Sequence, residues 1–438
     1  MKRSFGRSVV AAAIAGLLPI GMNSAHGAAF ALIEQSASGM GNAFAGAAAV
    51  AEDASTIFFN PAGMSLLPSS EFALAGHAIN LSADFSDSGS TNPLALGGGA
   101  ATGGNGGDIG STGFVPNLYV TWKLNDRWDL GLGVNAPFGL VTEYDSNWVG
   151  RFQGIKSEIT TLNVNPAVSY KISDAISIGG GINYQKLDAT LTNGLVLGPA
   201  TEGRANLEAD DDSWGWNIGA MWQLSPAARL GISYRSEIDY TLEGNATAST
   251  LTGVVVGGGA VNADVTLPDM LSLSVAFQAN DRFELLADIT RTGWSSINQI
   301  NVVDTATGTL ADVLVLDYQD AYRYSIGGNY ALNDKWTLKG GLAYDETPVK
   351  NAETRTVRIP DNNRTWIAIG AQLKTGGSGR WDFGYTHIFI EGADINRTSS
   401  QQAPGFTTPT PAPGTATTVK GSYEGSVDVF SVQYSMGF

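Results

Sequence analysis

The last nine residues of the chain alternate strictly in polarity. On a β-strand successive side chains point to opposite faces, so this spacing places five apolar side chains on one face, namely Phe430, Val432, Tyr434, Met436 and Phe438. The other face carries the small or polar residues Ser431, Gln433, Ser435 and Gly437. A strand that is apolar outside, small and polar inside, and last in the chain is typical of the closing strand of a transmembrane β-barrel.

The amino terminus has the three parts of a secretory signal peptide. It begins with the basic residues Lys2, Arg3 and Arg7, continues with an apolar stretch over 9–20, and offers small residues for cleavage at 25–27. We expect cleavage after Gly27, because the apolar stretch is too short for a spanning helix. Removing its three bases from the chain's 25 leaves 22 Lys+Arg against 41 Asp+Glu, a formal charge of −19. That charge argues against nucleic acid as a partner.

Beyond the signal peptide, no apolar run approaches the roughly 18 to 20 residues that a spanning helix needs. Mean hydropathy is nevertheless close to zero, which is high for a chain this acidic. Alternation explains both facts, since a barrel wall exposes one residue in two to lipid. The chain has 55 glycines, which suit strands and turns, and no cysteine, so neither disulfides nor thiolate metal sites are expected. We expect no cofactor.

Alternating segments recur along the chain and predict an all-β membrane protein, a 14-stranded antiparallel transmembrane β-barrel over residues 70–438. The even number is the one that closed bacterial barrels have. The predicted strands begin near Ser70, Phe114, Arg127, Glu158, Ala175, Ser213, Ala228, Val261, Arg282, Asp317, Lys335, Ile359, Arg380 and Lys420. Tight turns alternate with long connections, as expected for short periplasmic turns opposite long outer loops.

One hairpin motif occurs three times in the sequence, at 124–130, 279–285 and 332–338. In each copy Asn-Asp supplies a turn, and the aromatic two residues later lies at interface depth. Ordinary hairpins of a soluble sandwich would give a similar pattern. The signal peptide, the strand number and the loop asymmetry favour the barrel.

Strand parity also predicts which side chains face inward. On the strand from Asp317, one face carries Tyr318, Tyr322, Tyr324, Ile326, Tyr330 and Leu332. Polar residues and cations take the inward positions of several strands, so we predict a polar lumen. The candidate ligands for a substrate carboxylate are Arg364, Arg323, Arg235 and Lys339. The alternative is that each cation only partners a lumenal acid.

Residues 28–69 do not have the pattern of a wall. A run of small residues over 36–50 favours short, closely packed helices, and Pro61 after Asn60 interrupts them. A compact segment ahead of a barrel can lie inside it as a plug. By composition alone it could equally cap the periplasmic end.

At this point the chain resembles the FadL-type outer-membrane transporters of long-chain fatty acids and other hydrophobic molecules. The resemblance covers nearly the whole mature chain and depends on several segments in order. They are Ala28-Ala29-Phe30, Ser38–Gly46, Asp53-Ala54, Asn60-Pro61-Ala62, Asn135-Ala136-Pro137-Phe138-Gly139, Trp148–Phe152, Arg229–Arg235, Leu267–Asp269 and Pro360–Trp366.

The resemblance implies a barrel closed by an amino-terminal helical hatch inside the lumen, with the Asn60-Pro61-Ala62 motif meeting an inward kink of the third strand. An interruption near Asn135–Gly139 is chemically reasonable, because proline lacks a ladder donor and glycine weakens pairing, and Gly131 and Gly133 are the alternative positions for the kink. Movement of the gate residues Ala28, Ala29 and Phe30 would then release substrate sideways into the membrane. The implied partners are a hydrophobic small molecule, outer-membrane lipid and lipopolysaccharide, and the barrel insertion machinery, with the chain as a monomer.

Three other functions have weaker support from the sequence. An enzyme has little support, because His77 and His387 lie on different strands without a nucleophile motif. A non-specific porin has no use for a plug. The same fold tuned to monoaromatic hydrocarbons such as toluene is the main alternative. Asp210–Asp212 is expected in a solvated loop.

Overall fold

The computed structural model of the chain describes residues 29–438, so the predicted signal peptide and Ala28 lie outside the described residues. Nineteen strands form one antiparallel sheet. Their bounds are β1 Glu71–Asp87, β2 Thr112–Lys123, β3 Trp128–Asn135, β4 Gly139–Glu143, β5 Lys156–Lys171, β6 Ile176–Gly198, β7 Thr201–Ser225, β8 Ala228–Arg235, β9 Ile238–Thr250, β10 Val255–Leu267, β11 Met270–Asn280, β12 Phe283–Thr292, β13 Gln299–Asp304, β14 Leu310–Val315, β15 Ala321–Ala331, β16 Trp336–Asp345, β17 Arg364–Lys374, β18 Gly379–Ser399 and β19 Thr417–Gly437.

The sheet closes on itself because β1 pairs with β19 from Glu71 opposite Gly437 to Asp87 opposite Gly421. Five wall strands are each broken into two pieces, namely β3/β4, β8/β9, β10/β11, β12/β13 and β14/β15. Counting each pair once gives 14 wall strands, which confirms the predicted 14-stranded antiparallel barrel.

The repeated hairpin forms the same turn in all three places. In the first copy the Asn125 side chain accepts hydrogen bonds from the backbone N–H groups of Arg127 (2.9 Å) and Trp128 (3.1 Å). Asn280 and Asn333 make the equivalent pair of bonds in the other copies. These short turns mark the periplasmic end of the barrel.

The predicted faces are confirmed on the final strand, where Phe430 and Val432 are exposed on the lipid side while Gln433 is buried. One assignment on the strand from Asp317 is wrong: Tyr318 is buried inside, not on the face of Tyr322 and Tyr324. β15 begins only at Ala321, and the irregular backbone before it, with Asp317 at φ 47°, breaks the parity.

The segment ahead of β1 lies inside the barrel as the predicted hatch. It contains three one-turn helices, α1 Ala37–Met40, α2 Ala47–Val50 and α3 Thr56–Phe59, followed by a 3-10 helix over Pro61–Leu66. Most of its residues are buried, and it bonds to inward-facing side chains of the wall. Within residues 29–438, no helix has the length and apolar character needed to cross a membrane.

The hatch approaches the wall most closely where the wall has glycines. A Cβ at Gly341 would overlap the carbonyl group of Asn42, and one at Gly370 would come within 2.6 Å of the Cα of Gly41. Inward glycines therefore form the seat on which the turn between α1 and α2 lies.

Gly341→Ala should unseat the hatch, because the added methyl overlaps hatch backbone and overpacking costs about 1–3 kcal/mol. We expect purified G341A to carry a larger, noisier ion current in planar bilayers than the unaltered barrel. Gly340→Ala is the matched control, since its Cβ would meet nothing closer than the Ala368 carbonyl at 4.0 Å. Equal currents in the G341A and G340A variants would contradict the close packing of the hatch on Gly341.

Candidate functional site: a lumenal cavity and a wall opening

The wall reverses its polarity partway along its longest strands. In the lower part of β6, Asn183 and Gln185 point inward and Tyr184 outward. A few residues further, Leu187 is buried inside and Asp188 is exposed outside. A tilted strand crosses the bilayer in roughly 9–11 residues, whereas β6 and β7 have 23 and 25. Their upper parts therefore rise beyond the membrane, where the outer face meets water.

This reversal corrects two predictions. β7 and β10 begin at Thr201 and Val255, well before the predicted Ser213 and Val261, and Asp210–Asp212 lies on β7 rather than in a loop. The prediction recognised strands only where apolar residues alternate on the outward face. Above the membrane the apolar residues lie on the inward face, so the pattern was missed there. The lumen is thus polar in its lower part and apolar above.

The inner face of this upper wall lines an apolar cavity. Ten of the aliphatic residues that line it are Leu187, Ala189, Leu191, Leu207, Ala209, Leu242, Val261, Ala263, Val265 and Leu267. Phe30 of the hatch also lines it. Among the described lining residues, Arg358 is the one that carries a charge. Such a cavity suits a hydrophobic ligand with at most one charged group.

Arg358 lies in the connection between β16 and β17, so strand parity could not have found it. Its guanidinium donates to the Lys156 and Thr192 carbonyls, to Ser157 Oγ (3.0 Å) and to Asn193 Oδ1 (3.2 Å). Within the described chain no carboxylate lies within 4 Å of it and no acceptor bonds its Nε. Burial lowers the pKa of Arg358 because desolvation disfavours the charged form, but a guanidinium remains charged at pH 7.

Arg358 also lines a second, polar cavity on the side of the loops. Gln153, Asn193, Arg397 and Thr417 are among the residues that line this second cavity. The guanidinium is therefore placed where an apolar chamber meets a polar one. An amphiphile could therefore lie with its apolar part in the apolar cavity and its charged end at this boundary.

An aromatic cluster forms the floor of the apolar cavity. The ring centroids of Phe30 and Trp294 are 4.9 Å apart, those of Phe30 and Phe138 5.9 Å, and those of Trp294 and Tyr318 6.0 Å. Trp294 and Tyr318 come from the breaks between β12 and β13 and between β14 and β15. Alternation did not identify Trp294 and placed Tyr318 on the wrong face, because irregular backbone carries no period.

The third wall strand is interrupted at 136–138, between β3 and β4. β2 pairs with β3 only from Leu118 to Lys123. The upper part of β2, residues 112–117, has β1 on one side and no β3 or β4 partner in the described chain. The wall therefore has a gap there, in the part of β2 that is farther from the short turns. The interruption falls on the Asn135–Gly139 segment, while Gly131 and Gly133 continue the regular strand.

The first described residues of the hatch fill this gap with backbone hydrogen bonds. The Leu32 N–H donates to the Pro137 carbonyl (2.8 Å), and the Gly139 N–H donates to the Phe30 carbonyl (2.9 Å). Ala31 and Phe138 lie opposite each other in this short ladder. We call residues 29–32 the gate segment. Predicted gate and kink residues are thus in direct contact, except Ala28, which is not described.

The Asn60-Pro61-Ala62 motif anchors the hatch to the wall. Asn60 Nδ2 donates to the carbonyls of Ala48 (2.7 Å), Ala220 (3.1 Å) and Ile232 (3.2 Å), and its Oδ1 caps the 3-10 helix through Ala62 N–H. The motif therefore fastens the hatch to β7 and β8. The 3-10 helix that it begins also packs against β3, where a Cβ at Gly131 would come within 2.5 Å of Met64 Sδ. Contact of the motif with the kink itself stays a prediction.

The four predicted cations all point inward and all contact the hatch or support it. Lys339 binds Glu52 (2.7 Å), Asp382 (3.3 Å) and the Ser38 carbonyl. Arg323 donates to the Ala43 carbonyl at 2.6 Å.

Arg235 donates to the Phe58 carbonyl (3.2 Å) and lies over the Phe58 ring. Arg364 pairs with Asp361, whose other oxygen accepts the Ala29 N–H at 2.9 Å. A role for these cations as carboxylate ligands stays a prediction, and each has a structural partner already.

The sequence was compared with known families and proteins. A family model described as outer membrane protein transport protein (OMPP1/FadL/TodX) matches residues 20–438. Outer membrane protein P1 of Haemophilus influenzae is 31% identical over 424 residues, covering 88% of this chain and 90% of that protein. The long-chain fatty acid transport protein of Escherichia coli K12 is 27% identical over 437 residues, covering 90% and 94%.

Solved structures show the same fold. The crystal structure of a Pseudomonas aeruginosa FadL homologue superposes with a TM-score of 0.85 at 24% identity, covering 94% of this chain and all of that one. The Ralstonia pickettii toluene transporter TbuX gives a TM-score of 0.65 at 20% identity, covering 93% and 100%. At these identities the likeness concerns the fold alone.

Two neighbouring residues of β9 test the cavity. Leu242→Gln should weaken binding of a fluorescent fatty acid about tenfold, because an amide buried among aliphatic side chains costs roughly 1–3 kcal/mol. Glu243→Gln puts the same residue on the exposed outer face and should leave the dissociation constant unchanged. Equal affinities for the two variants would show that the ligand binds elsewhere.

Proposed function

Since the chain belongs to the OMPP1/FadL/TodX family of outer-membrane transport proteins, we propose that it takes up long-chain fatty acids or similar hydrophobic molecules and releases them sideways into the bilayer. Membership in this family argues for a transporter rather than an enzyme. The observation that carries the proposal is the apolar cavity whose floor is the gate segment in the wall gap.

The first step is capture above the membrane. The inner faces of β7, β9 and β10 remain apolar for several residues above the bilayer, while their outer faces carry charges such as Glu208, Glu243 and Asp264. A hydrophobic molecule that reaches this face from outside loses contact with water and meets aliphatic side chains down to Phe30. Each methylene buried on this path stabilises the bound state by about 0.8 kcal/mol.

The second step is exit, and the lower lumen makes a sideways exit cheaper than an axial one. Below the cavity the hatch and the inward face of the wall form a polar layer with ion pairs at Lys339 and Arg380. Taking a long acyl chain through that layer would cost roughly 10 kcal/mol in lost burial. The wall gap instead connects the cavity to hydrocarbon. The concentration gradient drives uptake, and no cofactor is required.

Opening the gap needs only a small local change. The gate segment is bonded to the interrupted strand by two backbone hydrogen bonds and to Asp361 through the Ala29 N–H (2.9 Å). Just after it, Gln35 Nε2 donates to the Ala136 carbonyl (2.9 Å). Each of the neutral hydrogen bonds is worth about 1 kcal/mol net. The rest of the hatch keeps its own anchors, including Asn60, so the gate segment can move while the hatch stays seated.

A substrate carboxylate would bind at Arg358, because this guanidinium lines the cavity and no carboxylate among the described residues lies within salt-bridge distance of it. Charge-assisted hydrogen bonds of this kind contribute about 1.5–3 kcal/mol. The charge of Asp312 acts on Arg358 from the polar cavity and would compete with such a ligand. The runner-up is a monoaromatic hydrocarbon, favoured by the aromatic cluster of Phe30, Phe138 and Trp294.

A disulfide across the gate tests sideways release. Ala31 and Phe138 form a non-hydrogen-bonded antiparallel pair, in which Cα atoms lie about 4.5 Å apart, within disulfide reach. The chain has no cysteine, so Ala31→Cys with Phe138→Cys gives one defined bridge. We expect oxidation to reduce uptake of labelled oleate at least tenfold and reduction to restore it. Each single-cysteine variant controls for the lost side chain, and unchanged uptake in the oxidised double variant would rule out this exit.

Substrate class is tested with labelled oleate and labelled toluene in cells with and without the protein. If carboxylates are the substrate, Arg358→Gln should lower oleate uptake about tenfold, since it removes a charge-assisted bond. Toluene uptake should not change. Strong toluene uptake that is unaffected by R358Q, with little oleate uptake, would favour the aromatic alternative.

A further inference from the structure

Glu34 is a buried acid directly after the gate segment. Its exposure is 0%, and neither carboxylate oxygen has a hydrogen-bond partner in the described part of the chain. Its backbone is fixed, because the Glu34 carbonyl accepts from Asn117 Nδ2 at 2.9 Å. Two residues earlier, Leu32 closes the wall gap. A carboxyl group in this position has no structural partner and lies next to the moving part of the proposed exit.

Several charged groups surround this carboxyl. Arg364 of β17 and Arg323 of β15 face it with positive charge, and Asp345 of β16 with negative charge. The charge of Arg364 is shared with Asp361, which also holds the Ala29 N–H.

Arg323 is further influenced by Asp288 on β12. Its Nη2 is bonded to the Ala43 carbonyl, whereas its Nε and Nη1 have no partner among the described residues. Arg323, whose charge acts on Glu34, therefore has free donors, and Glu34 does not bond them while the gate segment is in place.

We propose that Glu34 is a proton-operated latch, in which the protonated carboxyl allows the gate segment to stay in the wall gap and loss of the proton favours its release. An ionised carboxylate without donors is costly in a dry site. It can gain donors by turning toward Arg323, and that movement pulls on the backbone that carries Leu32. The latch rests on the proposed sideways exit, because it assigns a control to that gate.

The direction of the pH effect follows from burial. Desolvation raises the pKa of Glu34, a hatch residue outside the wall strands, from 4.5 to about 7 when the gate is shut. In an open state that hydrates the carboxyl, its pKa returns toward the ordinary value. The shut state then binds the proton more tightly, so it is favoured at low pH. Its advantage falls as pH rises from about 4.5 to about 7 and is constant above that.

Amide hydrogen exchange measures this latch without any transport step. Opening constants come from the protection factors of the Leu32 and Gly139 amides, which hold the gate segment to the wall, measured on the purified barrel between pH 5 and 8. We expect them to rise by up to tenfold per pH unit and to level off above about pH 7. The Ala48 amide, bonded to Ser274 Oγ at 3.0 Å, should show no such trend.

Glu34→Gln keeps the shape and removes the titration, so its opening constants should not depend on pH. Glu34→Asp keeps a carboxyl group and should retain the rise. Glu424→Gln, at an exposed position of β19, should behave like the unaltered protein. A flat profile in the unaltered protein, or an equal rise in E34Q, would overturn the latch. If opening does not depend on pH but the gate disulfide still blocks uptake, the latch is rejected and the sideways exit stands. If opening depends on pH as expected but the gate disulfide leaves uptake unchanged, only the sideways exit is rejected.

Discussion

The structure depends on one requirement, that backbone N–H and C=O groups within hydrocarbon must be hydrogen-bonded by protein. A closed barrel meets it everywhere except where a strand is interrupted. Here Pro137, which has no N–H to donate, lies in the interruption between β3 and β4, and the facing part of β2 lacks a partner on that side. The gate segment bonds the Pro137 carbonyl and the Gly139 N–H at this interruption. The same segment therefore completes the wall and closes the cavity, which is why a small movement can open both.

The change from a polar lower lumen to an apolar upper lumen determines where the hatch is anchored and where a hydrophobic molecule can bind. Inside the membrane the lumen is polar, and inward cations such as Lys339 fix the hatch through charged and backbone partners. Above the membrane the phase of alternation reverses, and the same strands enclose an apolar chamber with Arg358 at its upper boundary. A hydrophobic molecule is thus stable in the chamber and unstable below it, so the wall gap is the route that keeps it out of water.

Much of this could be predicted from the sequence, and the failures have physical causes. Strict alternation, the three Asn-Asp hairpins and the run of small residues give the barrel, its closing strand and the hatch, because each is a local pattern. Tyr318 and Trp294 lie in irregular breaks where parity carries no information. Arg358 lies in a connection between strands, and the cavity-lining halves of β7 and β10 have the opposite phase to the membrane wall. The inward cations were found by parity, but their hatch partners are distant in sequence.

The most direct test of the account is uptake with the hatch pinned in place. Ser65 Oγ of the 3-10 helix lies 2.9 Å from Ser169 Oγ of β5, so Ser65→Cys with Ser169→Cys can join hatch and wall at a site remote from the gate segment. Sideways release predicts that the oxidised double variant takes up labelled oleate at the rate of the reduced one. Loss of uptake on oxidation, recovered on reduction, would mean that substrate needs the hatch to leave the barrel, and would contradict the account.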